Sequence, residues 1–257
     1  MDLEYIKSSN IKLLVAKSED TEEYYVVGKS FMIDLLMGMA KLSVKYSQHQ
    51  VIDFPYLYSE RQLSSIILPT LSRLCNGAVL AELPARRYCC LKDHEKEDSF
   101  GRIDYWCIYK DYSIIIEVKH SFDAFLTEVT RERPVVKRWE YMTIDQLQSI
   151  KSEVKQYEEQ TKGVIRLGIQ FVVSYSDKRP TRALVNEYKS KLPDILYRLE
   201  RDVCKCKPSI TKPDFMACWF PPMQMILCEE NTFPGLILMG KIFRPIQHKG
   251  SKENPNL

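Results

Sequence analysis

Two apolar runs parted by only two polar residues constrain this chain more than anything else in it. The segment from Gly101 to His120 reads GRIDYWCIYKDYSIIIEVKH, with Lys110-Asp111 as the break. Strand-like runs on either side of so short a loop predict a β-hairpin. A two-residue loop pairs Tyr109 with Tyr112, and counting outward puts Asp104 opposite Glu117 and Arg102 opposite Lys119. Directly opposed side chains share one side of a sheet, with Cβ atoms about 4.5–5.5 Å apart. Lys119 falls on the same side as Glu117, about 6.6 Å further along the strand.

That register carries a conflict. Two opposed carboxylates repel and weaken the strand pair. Ile114-Ile115-Ile116 reads as strand buried on both faces, which makes unpaired charge at its end costly. A cation between the acids removes the conflict, and oxygen ligands of this kind suit Mg²⁺, which takes one or two carboxylates and binds substrate phosphate. The competing reading is a solvated Glu-x-Lys on a sheet face, with Arg102 or Lys119 pairing with the acids. The aspartate at matching register, the triple isoleucine and the flanking elements favour the site.

Gly101-Arg102-Ile103-Asp104, followed by Ile115-Ile116-Glu117-Val118-Lys119, resembles the core of the PD-(D/E)xK nuclease superfamily, the restriction-endonuclease-like fold. Ile103 replaces the proline of the family's name, at a position the family varies. The resemblance implies that Asp104 and Glu117 bind Mg²⁺, with Mn²⁺ as a substitute, helped by the Val118 carbonyl. It implies that Lys119 positions or activates the attacking water. Glu60 keeps two readings: a third metal carboxylate, as the resemblance suggests, or an acid favouring the positive end of its helix.

The chain has 257 residues, room for one domain with additions or two small ones. A net charge of +3 excludes a histone-like polycation, so contact with nucleic acid has to come from local clusters. Arg131, Arg133, Lys137 and Arg138, with Trp139 and Tyr141, form the densest basic-aromatic cluster, a mixture suited to backbone contact and base stacking. An ordinary charged surface loop is the alternative. No run approaches the ~20 apolar residues of a membrane span, and MDLEYIKSSN lacks a signal-peptide core. A cytoplasmic protein with mostly reduced, packed cysteines is expected.

Reading along the chain, Ile11–Ala16 is strand-like and residues 22–47 are helical, with Phe31, Leu35, Leu36 and Met39 near one stripe. Such a stripe serves a core or a partner. Ser59 and Gln62 predict a capping box for a helix that Pro69 kinks. Residues 78–89 predict a strand, 91–99 a charged loop and 121–132 a short helix. Thr143 and Gln146 predict a second capping box for a helix reaching Gly163, whose Gln146, Gln148, Lys151 and Lys155 could reach the site. Residues 164–175 predict a buried strand, and 182–204 a helix split by Pro193. Two strand-like runs, 216–220 and 236–239, follow, with a weaker one at 225–228.

The expected fold class is α/β with a mixed α+β sheet. It holds an αβββαβ core over residues 56–180, an N-terminal helical extension over 1–55, completing helices and strands over 181–246 and a loose tail over 247–257. The absence of a Gly-rich phosphate loop argues against an ATPase or kinase, and the absence of Gly-x-Ser-x-Gly removes an esterase elbow. Cys204, Cys206, Cys218 and Cys228 lack the usual zinc spacing.

The expected function is metal-dependent hydrolysis of DNA phosphodiesters, by analogy an endonuclease of restriction or antiphage defence, with RNA as a further substrate class. Arg102, Arg133, Lys137, Arg138, Lys151 and Lys155 are the expected nucleic-acid contacts. A homodimer and a protein partner docking on the N-terminal helical region are the expected assemblies. The alternative is a nuclease fold kept as a catalytically idle binding module.

Overall fold

The computed structural model describes residues 3–8, 11–16, 21–48, 54–88, 98–126, 134–150, 161–205, 207–227 and 229–244. Eight strands form one mixed sheet: β1 (Leu3–Ser8), β2 (Ile11–Ala16), β3 (Val79–Tyr88), β4 (Asp98–Tyr109), β5 (Tyr112–Ala124), β6 (Val164–Ser176), β7 (Phe215–Trp219) and β8 (Thr232–Phe243). Their order across the sheet is β1-β2-β7-β8-β6-β5-β4-β3. Only β5 and β6 run parallel; every other neighbouring pair is antiparallel. The helices are α1 (Glu23–Gln48), α2 (Glu60–Leu74), α3 (Pro134–Glu140), α4 (Arg182–Val203) and two single turns, α5 (Pro208–Thr211) and α6 (Met223–Ile226). No described helix is long and apolar enough to cross a membrane.

Two apolar layers sandwich the sheet. One packs Phe31, Leu35, Leu63 and Ile67 of α1 and α2 on Ile114, Ile116, Leu167 and Phe171. The other packs Trp139, Leu192, Ile195 and Leu199 on Ile115, Val172, Ile237 and Met239. Ile114, Ile115 and Ile116 are at most 1% exposed, so β5 is buried on both faces, as its continuous apolar run implies. From α2 onward the order is helix, three strands, helix, strand, the expected αβββαβ sequence.

Several expectations need correction. Residues 1–55 are not simply a helical extension, because β1 and β2 form a hairpin that joins the sheet through β7. The methionine-rich stripe of α1 is core: Met32, Leu35, Leu36 and Met39 are fully buried, which removes it as a partner surface. Helix α4 runs through Pro193 without the expected split.

The Ser59 hydroxyl donates to the Gln62 side chain and does not cap the helix backbone. Thr143 is no cap either. It lies inside continuous helical backbone, where its Oγ1 donates to the Trp139 carbonyl at 2.8 Å. A π-helical turn, Tyr141–Gln146, links α3 to the rest. Residues 121–124 are strand, because parallel pairing with β6 carries β5 on to Ala124. Residues 223–226 are a helical turn in place of the weak strand at 225–228. Residues 91–97, the end of the helix expected to reach Gly163, and the tail lie outside the described residues.

Candidate functional site

The hairpin forms in the expected register. Lys110 and Asp111 both take positive φ, 48° and 65°, the conformation a two-residue hairpin loop demands. Tyr109 pairs with Tyr112, and the ladder continues through Cys107–Ile114 to Tyr105–Ile116. There it stops. β4 goes on beside β3 to Asp98, while β5 goes on beside β6 to Ala124. The two strands fork at the position where Asp104 and Glu117 were expected to pair. The expected Asp104–Glu117 and Arg102–Lys119 pairings are therefore not made.

The Asp104 side chain takes over at the fork. Its Oδ2 accepts the Val118 backbone N–H at 2.6 Å, replacing the next rung of the ladder. Across β3, the ladder passes from Ala81–Tyr105 to Leu83–Ile103, and Glu82 between them has φ 55°. A non-glycine residue held there costs on the order of 1–3 kcal/mol and marks strain of the kind found at functional sites. Glu82 was not anticipated from the sequence; an acid inside the apolar run Ala78–Ala85 was its only signal.

The fork opens into a cavity of about 350 Å³ walled by Asp104, Glu60, Glu82, Ser64, Tyr105 and Val118. Lys119 Nζ donates to the Val118 carbonyl at 2.9 Å and lies 4.0 Å from Glu60 Oε2. Glu60 Oε1 accepts the His120 N–H at 3.3 Å. The first turn of α2 is thereby tied to the end of β5, and both readings of Glu60 stay in play. Burial pushes the Asp104 carboxyl above its ordinary pKa. Lys119 and the Val118 N–H pull it down, while Glu60 and Glu82 push it up again. His120 is 2% exposed, its Nε2 lies 2.9 Å from the Tyr56 carbonyl, and burial lowers its pKa.

The expected residues thus divide. Asp104, Lys119, Val118 and Glu60 come together. Glu117 is completely buried, and strand alternation gives it the side of Ile115, away from Val118. It is not among the cavity walls. Among the described residues no three acidic, histidine or cysteine side chains lie close enough to enclose a metal on their own. Mg²⁺ usually needs only one or two carboxylates beside its waters. Asp104, Glu60 and Glu82 line one cavity without closing on a single point, so an ion there would take one or two of these carboxylates and complete its shell with water.

The wider basic cluster is only partly a surface. Trp139 is fully buried and its indole N–H donates to the Thr211 carbonyl at 2.6 Å, so it cannot stack on a base. The Arg138 guanidinium donates to the His120 carbonyl and braces α3 on β5. Lys137 and Tyr141 are exposed, and Arg102 pairs with Glu82 at 3.5 Å. Arg131, Arg133, Lys151 and Lys155 lie outside the described residues. No protein-family model, curated protein or solved structure matches this chain.

Proposed function

We propose that this chain is a divalent-metal-dependent nuclease acting on DNA in the cytosol. The observation that carries the reading is the fork. Pairing of β4 with β5 ends beside Asp104, which walls one cavity with Glu60, and Lys119 lies 4.0 Å from Glu60. Asp104 and Glu60 would hold Mg²⁺ or Mn²⁺ with the Val118 carbonyl, while Glu117 comes to the metal through the sequence resemblance alone. A bound ion would supply charge neutralisation at phosphate and a water of lowered pKa.

The chain's own groups do the rest. The Lys119 side chain, 12% exposed and anchored on its own backbone, can orient a water and offset charge developing on phosphate oxygens. The Val118 N–H fixes the Asp104 carboxylate in one orientation, so its placement costs nothing when substrate arrives. Tyr105 and Val118 shelter Asp104, which strengthens its charge interactions, while Glu60 and Glu82 stay open to solvent.

Full burial of Glu117 favours a second reading, a nuclease-like fold that binds nucleic acid without cutting it. Plasmid cleavage with Mg²⁺ or Mn²⁺ separates the two. The nuclease reading expects cleavage by the wild type, abolished by chelator and reduced about a hundredfold or more in K119A and D104N, the scale of a lost transition-state donor. Cleavage undiminished in both variants would show the site to be elsewhere. Metal-independent binding with no cleavage under either ion would establish the idle module.

A further inference from the structure

The far edge of the sheet holds a second site of opposite charge. A cavity of about 400 Å³ lies between the β1–β2 hairpin, α4 and the segment after β7, walled in part by Tyr5, Lys7, Lys12, Lys189, Phe220 and Met223. Among the described residues no carboxylate lines it. Lys7 and Lys12 are direct cross-strand partners in the hairpin, an arrangement of like charges that weakens a strand pair. Neither forms an ion pair among the described residues. Lys189 reaches the same cavity from α4, its ammonium 5.5 Å from the centre of the Phe220 ring.

Lysines on an edge strand are also a known guard against edge-to-edge aggregation. That role needs neither a cavity nor a third lysine from another element, nor aromatic walls. Three lysines lining one cavity suit phosphate oxygens, while Tyr5, 62% exposed, and Phe220 line the same cavity with aromatic surface suited to a planar base. The volume falls in the range of small-molecule pockets. From β2 to β5 there are four strand intervals, about 19 Å at the usual spacing, so this cavity is separate from the fork.

We infer that the cavity between the β1–β2 hairpin and α4 binds a phosphorylated nucleoside, with Lys7, Lys12 and Lys189 on the phosphate and the aromatic walls against the base. The ligand is either a free nucleotide or the terminal nucleotide of a strand. The inference does not depend on the nuclease reading.

Equilibrium binding in the presence of chelator tests it. The probes are AMP, adenosine, inorganic phosphate and a 5′-phosphorylated single-stranded tetranucleotide. The proteins are the wild type, K12Q and the triple variant K7Q/K12Q/K189Q. AMP or the tetranucleotide is expected to bind at least tenfold more tightly than adenosine or phosphate. The triple variant is expected to lose about tenfold or more of that affinity, and 0.5 M salt to weaken it as well. AMP binding as tightly as the tetranucleotide identifies a free-nucleotide site; binding by the tetranucleotide alone identifies a strand-end site. Unliganded K12Q should melt no lower than the wild type, because it relieves a like-charge pair. Failure of both nucleotide probes to bind, equal binding by the triple variant, or a lowered melting temperature in K12Q would overturn the proposal.

Discussion

Replacing Asp104 separates its structural duty from its proposed chemical one. Its carboxylate accepts the N–H of Val118, a residue only 4% exposed. Asp104→Asn keeps an acceptor in that place; Asp104→Ala removes it. A buried N–H left unsatisfied costs about 1–3 kcal/mol. For a chain of this size each kcal/mol moves the melting temperature by about 2–4 °C, so D104A should melt roughly 2–12 °C below D104N.

The wild type adds a further comparison. Burial and the neighbouring acids raise the Asp104 pKa in the folded state, so the native state binds the proton more tightly than the unfolded chain. The wild type should therefore gain stability on D104N as pH falls through that raised pKa, and lose it again as pH rises. At pH 7 D104N should melt at or above the wild type. Adding Mg²⁺ to a hundredfold excess over its Kd should stabilise the wild type by about 2.7 kcal/mol and leave both variants unmoved. Differential scanning fluorimetry across pH, with and without Mg²⁺, reads all of these outcomes. Equal melting of D104A and D104N would refute the backbone role, and an unchanged Mg²⁺ shift in D104N would refute the metal role.

Trp139→Ala should cost about 3–5 kcal/mol, as for a large core side chain, with DNA affinity of the folded fraction unchanged. A specific loss of affinity in W139A would return that residue to the binding surface. Gly168 lies opposite Glu117, and a Cβ there would come 2.7 Å from Leu147 Cδ1 and 3.0 Å from Met142 Cε. Gly168→Ala should therefore destabilise by about 1–3 kcal/mol in a chemical melt, and neutrality would mean that the π-helical turn yields freely. His120 titrates below the ordinary 6.5 because it is buried. The wild type should therefore lose stability as pH falls from 6.5 through the folded pKa, and H120N should not. Parallel stability–pH curves for the two would contradict the burial.

The hairpin register was legible because a two-residue loop and a fixed strand period leave no freedom once Tyr109 meets Tyr112. The end of that pairing was not. Whether β4 stays with β5 or leaves with β3 depends on Glu82 and on how far β6 extends, and both are long-range facts. Trp139 illustrates the same limit: beside Arg138 and Tyr141 it reads as a stacking platform, yet it fills the space above the Thr211 carbonyl. Ser-x-x-Gln marked the start of α2 at Ser59, although the hydroxyl bonds the Gln62 side chain, whereas Thr-x-x-Gln misled because Thr143 lies inside helical backbone. The split expected at Pro193 does not occur, because packing on an apolar face outweighs one missing hydrogen bond. Ile11–Ala16 could not be placed from the sequence, because its partner β7 lies some two hundred residues away.

The insertion of β7 and β8 between β2 and β6 has a consequence for synthesis. While the ribosome is still short of Trp219, the first hairpin has no sheet strand to pair with and β6 shows a bare flank. Both are adhesive edges of the kind that invites pairing with a neighbouring nascent chain. A stop codon shortly before Phe215 would leave a molecule with the fork intact and the sheet unclosed, more prone to clump than to lose its site.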